Sequence, residues 1–199
     1  MGTVDTHRLR VMGALLLMAL ALAPVARACD QIDPIDLIPG DGVCAGVLLD
    51  GDAAGAYTYA ELTEIINGEA GLYDLYGFVA AAFQNYGVDV GGGQAAATLS
   101  LFNQGTAGVA AALYADPQSG TGDPIVDWSG SGEARLRVAF GVTTLQFREE
   151  CFFGQVVVIS AEEAAETAAR CLADVIAASI RGEVPTDGRS WGRLKVKFE

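Results

Sequence analysis

The sequence predicts an α+β fold, in which an antiparallel sheet carries two long helices packed mainly on one face. Apolar residues recur at helical spacing in residues 58–78 and 161–181, whereas shorter segments between them alternate or are rich in β-branched residues. These strand segments come in adjacent pairs, and a helix follows each pair, once before and once after a loop at residues 116–132. Paired strands favour an antiparallel sheet with helices packed against it.

The first 28 residues have the composition of a signal peptide. Basic residues precede an apolar run at residues 11–23, which is too short to span a bilayer, and Ala26-Arg27-Ala28 is a small-x-small cleavage site. A lipoprotein signal is the alternative, because Cys29 would be the first mature residue, although Arg27 stands where a small residue is expected. We therefore expect an exported protein, periplasmic or extracellular, with no stable membrane insertion after the signal is cleaved.

Residues 29–55 are predicted to form an acidic, irregular segment with a short strand at residues 46–49, and residues 56–199 a single α+β domain. The irregular segment is rich in Pro, Gly and Asp. Its aspartates could bind Ca²⁺ through their oxygens, but they lack the ordered spacing of a calcium loop. The prediction is a solvated acidic segment, with a structural calcium as the alternative. The aspartates in question are Asp30, Asp33, Asp36, Asp41, Asp50 and Asp52.

The central helix is predicted over residues 58–78. Thr58 and Glu61 have the spacing of a capping box, and Gly77 stands where a helix C-terminus favours glycine. Gly68 and Gly71 lie inside the helix, where each costs about 1 kcal/mol relative to Ala. The apolar positions that repeat at helical spacing are Leu62, Ile65, Ile66, Leu72, Tyr73 and Tyr76.

Two interpretations account for the glycines inside this helix. Ile65 and Leu72 flank Gly68 at helical spacing and place it on the apolar stripe, which predicts close packing against the sheet. Gly68→Ala is then expected to destabilise the fold by overpacking. The alternative is a local break of the helix at Asn67-Gly68.

The same helix carries a motif. Ile66-Asn67-Gly68-Glu69-Ala70, Leu72-Tyr73 and Tyr76-Gly77-Phe78 together resemble the signature of a family of exported bacterial proteins known as a domain of unknown function. The resemblance spans about residues 37–180 and implies the order of elements but no established activity. Gly71 departs from it, since the family more often has an acidic residue there. The motif residues are interpreted as structural: Asn67, Gly68, Tyr73, Tyr76, Gly77 and Phe78.

Strand and helix patterns fill the rest of the chain. Arg135 and Arg137 alternate with apolar residues on one strand, and the β-branched run at residues 156–159 predicts a central strand. Ser160 and Glu163 have capping-box spacing at the start of the second long helix. The remaining predicted elements are strands at residues 78–86, 95–102, 133–140, 143–148, 151–159 and 191–198, and a short helix at residues 106–115.

Four cysteines follow the signal peptide, and in an exported chain they predict two disulfides. Cys29–Cys44 is the local pairing. Cys151–Cys171 is disfavoured, because strand and helix rises place the two residues at levels that differ by about 10 Å. A bridge from Cys29 or Cys44 to Cys151 is the remaining alternative.

Several chemistries are excluded by composition. The one histidine is His7, in the signal peptide, so the mature chain has no Ser-His-Asp, Cys-His or His-metal site. A net charge of −13 opposes binding to nucleic-acid backbones. Lys195 and Lys197 lie on the predicted last strand, and residues 91–93 lack the spacing of a phosphate loop.

The sequence therefore predicts a non-enzymatic binding or interaction module without a cofactor, for an unknown protein or small-molecule ligand. The alternative is a hydrolase that uses carboxylates, with or without the assistance of calcium. Glu69 and Asp74 are its candidates on the central helix, although their spacing of five residues turns them away from each other. No catalytic residue is assigned.

Overall fold

A computed structural model gives the fold of residues 29–183. The predicted signal peptide and the strand predicted at residues 191–198 lie outside these described residues. The strands span Val47–Ala56 (β1), Ala80–Asp89 (β2), Gln94–Asn103 (β3), Asp123–Pro124 (β4), Glu133–Ala139 (β5), Val142–Glu149 (β6) and Phe152–Val158 (β7). The helices span Tyr59–Ile66 (α1), Ala70–Leu75 (α2), Ala107–Ala115 (α3) and Glu163–Ile180 (α4).

The described strands form one seven-stranded sheet in the order β1-β2-β3-β7-β6-β5-β4. Every neighbouring pair is antiparallel, which confirms the predicted class. The β-branched strand β7 lies between β3 and β6, as predicted. The strand predicted at residues 46–49 is longer than expected: β1 continues to Ala56, with an irregularity between Asp50 and Ala54.

One face of the sheet is covered by α4 and by the segment that precedes β1. Leu172 and Ile176 of α4 pack against Leu99 and Val156 of the sheet, and Leu37 of the N-terminal segment joins them. All five side chains are nearly or fully buried. The apolar residues of the acidic segment therefore belong to the core of the domain.

The opposite face carries a second, aromatic cluster, covered by α1, α2 and α3. The Tyr73 ring stacks on Phe102 with centroids 3.8 Å apart, and Phe83 meets Phe102 edge-on. Leu62 and Leu113 bury their side chains in the same cluster. The helices thus divide between the two faces of the sheet instead of packing mainly on one.

The central helix is not continuous over residues 58–78 but is broken at Asn67, as in the alternative interpretation of a break at Asn67-Gly68. Asn67 adopts φ 52° and ψ −128°, which is not a helical conformation, and ends α1. A single 3-10 turn, Asn67–Glu69, then leads into the short helix α2. Only α4 is long and continuous among the described helices.

Side chains cap two of the helices at their N-termini. Thr58 accepts a hydrogen bond from the Glu61 N–H at 3.2 Å, as the capping box predicts. Thr106 caps α3 in the same way. The box predicted from Ser160 and Glu163 does not form, because Glu162 occupies the N-cap position and the Ser160 hydroxyl accepts from the Glu162 N–H.

Two disulfides join the N-terminal segment to the core: Cys29–Cys151 and Cys44–Cys171. Two bridges were predicted, and the alternative that links Cys29 to Cys151 is the one found. The local pair Cys29–Cys44 does not form, because each cysteine meets a partner more than 120 residues away. A Cys29 sulfur in a disulfide cannot also carry the thioether of a lipoprotein.

Two aspartates of the acidic segment accept hydrogen bonds from other protein groups. Asp33 accepts from the Ile35 N–H and from the Tyr57 hydroxyl, and Asp41 accepts from the Leu49 N–H at 2.6 Å. Within residues 29–183, no group of three or more His, Cys, Asp or Glu residues is placed to hold a metal ion. None of the helices described has the length and apolarity needed to cross a bilayer.

Candidate functional site

A cleft of about 610 Å³ opens on the face that carries the aromatic cluster. One wall is formed by residues between Gly68 and Leu75, and the other by residues 118–121. The floor is formed by Arg137, Thr144, Gln146 and Gln155, on strands β5, β6 and β7. We call this space the motif cleft. Its volume is in the range of small-molecule sites.

The first wall contains the two glycines of the central segment. Gly68 and Gly71 are both exposed, and a Cβ built on either one meets no atom within 4 Å. The prediction that Gly68 packs against the sheet is therefore wrong. The helix ends at Asn67, and Gly68, directly beyond this break, is exposed and lines the cleft.

Other motif residues hold this wall in place. Tyr73 buries its ring against Phe102, and burial, with a smaller effect from the charge of Glu69, raises the pKa of its hydroxyl. Gly77 has φ 72°, its N–H donates to the Asp74 carbonyl, and the Phe78 N–H donates to the Tyr73 carbonyl. This pattern is a Schellman motif, which ends α2 where the sequence predicted a helix C-terminus.

The second wall is a loop fixed by Asp116. Asp116 Oδ1 accepts from the Gln118 N–H at 2.8 Å, which starts the 3-10 turn Pro117–Ser119. Its other oxygen accepts from the Tyr76 hydroxyl. These two bonds, the Gln118 N–H first, lower the pKa of Asp116, and the bond to Asp116 raises the pKa of Tyr76.

The floor is organised by Arg135. Its guanidinium lies 4.4 Å from the centre of the Tyr114 ring and donates to the Tyr114 carbonyl, to the Ser119 hydroxyl and to Gln146 Oε1. Partial burial lowers the pKa of Arg135. Gln146 in turn donates to the Ser119 carbonyl and to Gln155 Oε1.

Gly120 permits this arrangement. It has φ 132°, and a Cβ there would lie 2.5 Å from the carboxamide of Gln146. A side chain at this position would therefore displace the floor of the cleft. The sequence does not predict this role, because loops commonly contain several glycines and nothing distinguishes Gly120 from the others.

The two candidate carboxylates, Glu69 and Asp74, do not share a site. Glu69 lines the motif cleft and Asp74 does not. Among the residues that line the cleft, Glu69 is the one acidic side chain. The cleft therefore lacks the facing pair of carboxylates that glycoside hydrolysis uses.

Sequence reasoning placed Arg135 and Arg137 on one face of their strand but assigned them no site. Gln146 and Gln155 were missed altogether, since a glutamine within a strand carries no spacing signal. The one sequence signal was the scarcity of basic residues: no Lys or Arg occurs from Cys29 to Ala134. Of the next two, Arg135 bonds Gln146 of the cleft floor, and Arg137 lines the cleft itself.

No family model, curated protein or solved structure matches this chain. The resemblance to exported bacterial proteins of unknown function accordingly remains an expectation from the motif.

Proposed function

We propose that this chain is an exported, non-enzymatic binding module and that its ligand is a small polar molecule held in the motif cleft. The observation that carries the proposal is the pair Gly68 and Gly71. Glycine within helical turns costs about 1 kcal/mol relative to Ala. Packing gives no reason for glycine at either position, because open space surrounds both.

A bound ligand supplies that reason. A glycine lets a ligand approach the backbone closely, because no Cβ stands in the way. Both glycines line the same cleft, and the facing floor is polar and held by a hydrogen-bond network. A fixed polar floor suits recognition by hydrogen bonds.

The alternative of a carboxylate hydrolase has less support. Glu69 stands in the cleft without a second carboxylate among the lining residues, and Asp74 is outside it. Export is supported by the signal-like N-terminus and by the two disulfides, which form in oxidising compartments. Periplasmic or extracellular location is part of the proposal.

The test compares three glycine-to-alanine variants. Gly68→Ala and Gly71→Ala each add a methyl group to the cleft wall. Gly108→Ala, on α3, is the matched control, because Gly108 is also exposed, also helical and also free of neighbours within 4 Å, but does not line the cleft.

A panel of small polar solutes is first titrated into isotope-labelled wild-type protein, and backbone amide shifts are followed by NMR. We expect hits that perturb Glu69, Gln118 and Gln155, and we expect Gly68→Ala and Gly71→Ala to weaken them while Gly108→Ala binds normally. Equal affinities in all three variants, or no perturbation at the cleft, would contradict the proposal.

A further inference from the structure

The arginine of the motif cleft is unlike the other arginines in the described residues. Arg148 pairs with Glu133, Arg170 with Glu166 and Asp127, and Arg181 with Glu149 and Glu183. Arg135 is engaged by the floor network. Arg137 is exposed, lines the cleft and has no ion pair or side-chain hydrogen bond within residues 29–183.

Glu69 is the corresponding anion. It lies on the opposite, glycine-bearing wall, and within the described part of the chain it likewise has no ion pair or side-chain hydrogen bond. The cleft thus presents one free cation on its floor and one free anion on its wall. Neither charge is neutralised by other side chains of residues 29–183.

The floor that carries Arg137 also presents a free hydrogen-bond donor. Arginine has donors only, so the Nε of Arg135 fixes Gln146 with Oε1 toward Arg135 and Nε2 away from it. Gln146 Nε2 donates to Gln155 Oε1 at 2.7 Å, which fixes Gln155 in turn. The Nε2 of Gln155 then has no protein partner among the described residues and is left for a ligand.

From this geometry we infer that the ligand class is a zwitterion, a free amino acid or a short peptide with unblocked ends. Its carboxylate binds Arg137 and the Gln155 amide, and its ammonium group binds Glu69. This inference rests on the proposed function of the same cleft. Arg137 and Gln155 line the same cleft, and a guanidinium and an amide N–H are both donors that a carboxylate accepts.

Net charge favours a zwitterion over a simple anion. The chain carries a formal charge of −13, and its field opposes the approach of an anionic ligand. A molecule with both charges has no net repulsion to overcome. It also matches both free charges of the cleft, whereas an anion would face Glu69 unpaired.

Calorimetric titration with L-alanine, dialanine and trialanine tests the inference, because the three probes differ in the distance between their charges. The best of them is compared with its N-acetylated and its C-amidated form. We expect each blocked form to bind at least about tenfold more weakly, which corresponds to about 1.4 kcal/mol.

Variants assign the two ends. Glu69→Gln should weaken binding of the free peptide but not binding of the N-acetylated form, which has no ammonium group for Glu69 to bind. Arg137→Gln should weaken binding of the free peptide but leave binding of the amidated form unchanged. Glu64→Gln and Arg170→Gln are matched controls outside the cleft, and both should bind like wild type.

The outcomes separate this inference from the proposed function. If other solutes perturb the cleft residues but the three probes do not bind, or if blocking the ends has no effect, the zwitterion is overturned and the cleft remains a binding site. If no solute perturbs the cleft residues, both the zwitterion inference and the proposed function are contradicted.

Discussion

The Tyr76 hydroxyl donates a 2.8 Å hydrogen bond to Oδ2 of Asp116, forty residues along the chain, and this bond joins the two walls of the motif cleft. Tyr76 caps α2 on one wall, and Asp116 starts the loop of the other. Both carboxylate oxygens of Asp116 are occupied, because Oδ1 accepts from the Gln118 N–H. The walls are therefore held together by a carboxylate that must be ionised to accept both bonds fully.

The first prediction concerns pH. The pKa of Asp116 is lowered in the folded protein by these two bonds. A group with a lowered pKa contributes stability above its unfolded pKa of about 3.9 and loses that stability as pH falls through the folded value. Tyr76→Phe removes one of the bonds, so we expect it to reduce stability at pH 7 and to have a smaller effect at pH 3.

Urea unfolding at the two pH values measures both effects. Tyr59→Phe is the control, because Tyr59 is exposed and its hydroxyl forms no hydrogen bond within the described residues. A difference between wild type and Tyr76→Phe that is the same at pH 3 and pH 7 would contradict the role assigned to Asp116.

The second prediction concerns the glycines of the central segment. Gly68→Ala and Gly71→Ala should leave the free energy of unfolding unchanged or raise it by up to about 1 kcal/mol, because Ala favours helix and meets open space. Gly77→Ala should lower it by about 1–2 kcal/mol, because Gly77 has φ 72°.

Chemical denaturation of the three variants checks the contrast. Gly154→Ala serves as a positive control for overpacking, since its Cβ would overlap the ring of Phe147. A destabilised Gly68→Ala variant would restore the closely packed helix expected from the apolar spacing alone.

The sheet was predictable because strand signals are local. Alternation at residues 133–140 and the β-branched run before Ser160 each identify a strand without knowledge of its neighbours. The helix break could be given only as an alternative, because Asn67-Gly68 permits a break while the apolar spacing favours a continuous helix. The apolar positions on both sides continue at helical spacing, so the periodicity alone does not indicate the break.

The cleft depends on that break and on contacts distant in sequence. Arg135 reaches Tyr114, twenty-one residues away, and Tyr76 reaches Asp116. The disulfides illustrate the same limit. The rise per residue of a strand and of a helix disfavoured the pair Cys151–Cys171. It could not predict the pair Cys44–Cys171, because that pair depends on which face of the sheet the N-terminal segment covers. Sequence spacing thus correctly disfavoured one pair, Cys151–Cys171, but wrongly offered the local pair Cys29–Cys44.

The third prediction concerns how the disulfides combine. The two bridges interleave, since Cys44 lies between Cys29 and Cys151 in the chain. Either bridge alone therefore already restricts most of the loop that the other closes. Removing one pair by serine substitution should cost about 2–4 kcal/mol, and removing both should cost more than the sum of the two single losses.

Urea unfolding of the two single-pair variants and of the variant without cysteines provides the comparison. Strictly additive losses would show that the bridges act on independent parts of the fold. They would also count against a common role in fastening residues 29–44 to the sheet.

The last prediction concerns Glu149, the final residue of β6, whose side chain is fully buried. Its carboxylate accepts from the Ser131 N–H and hydroxyl and from the Gly132 N–H at 3.1 Å. Arg181, at the end of α4, lies 3.5 Å away. One buried anion thus holds the end of the loop after Trp128 and the end of the long helix against the sheet.

Glu149→Gln keeps the shape and removes the charge. Every partner of this carboxylate is a donor, so the Nε2 of the new glutamine must face a donor whichever way the amide is turned. Breaking a buried ion pair in this way typically costs about 3–5 kcal/mol. Glu133→Gln is the matched control, because its pair with Arg148 is 60% exposed on the Glu133 side and should cost no more than about 1 kcal/mol. Urea unfolding measures both losses, and amide hydrogen exchange should show faster exchange at Ser131 and Gly132 in Glu149→Gln alone. Equal losses in the two variants would mean that Glu149 contributes no more than a surface charge, and the loop and helix would then owe their positions to apolar packing.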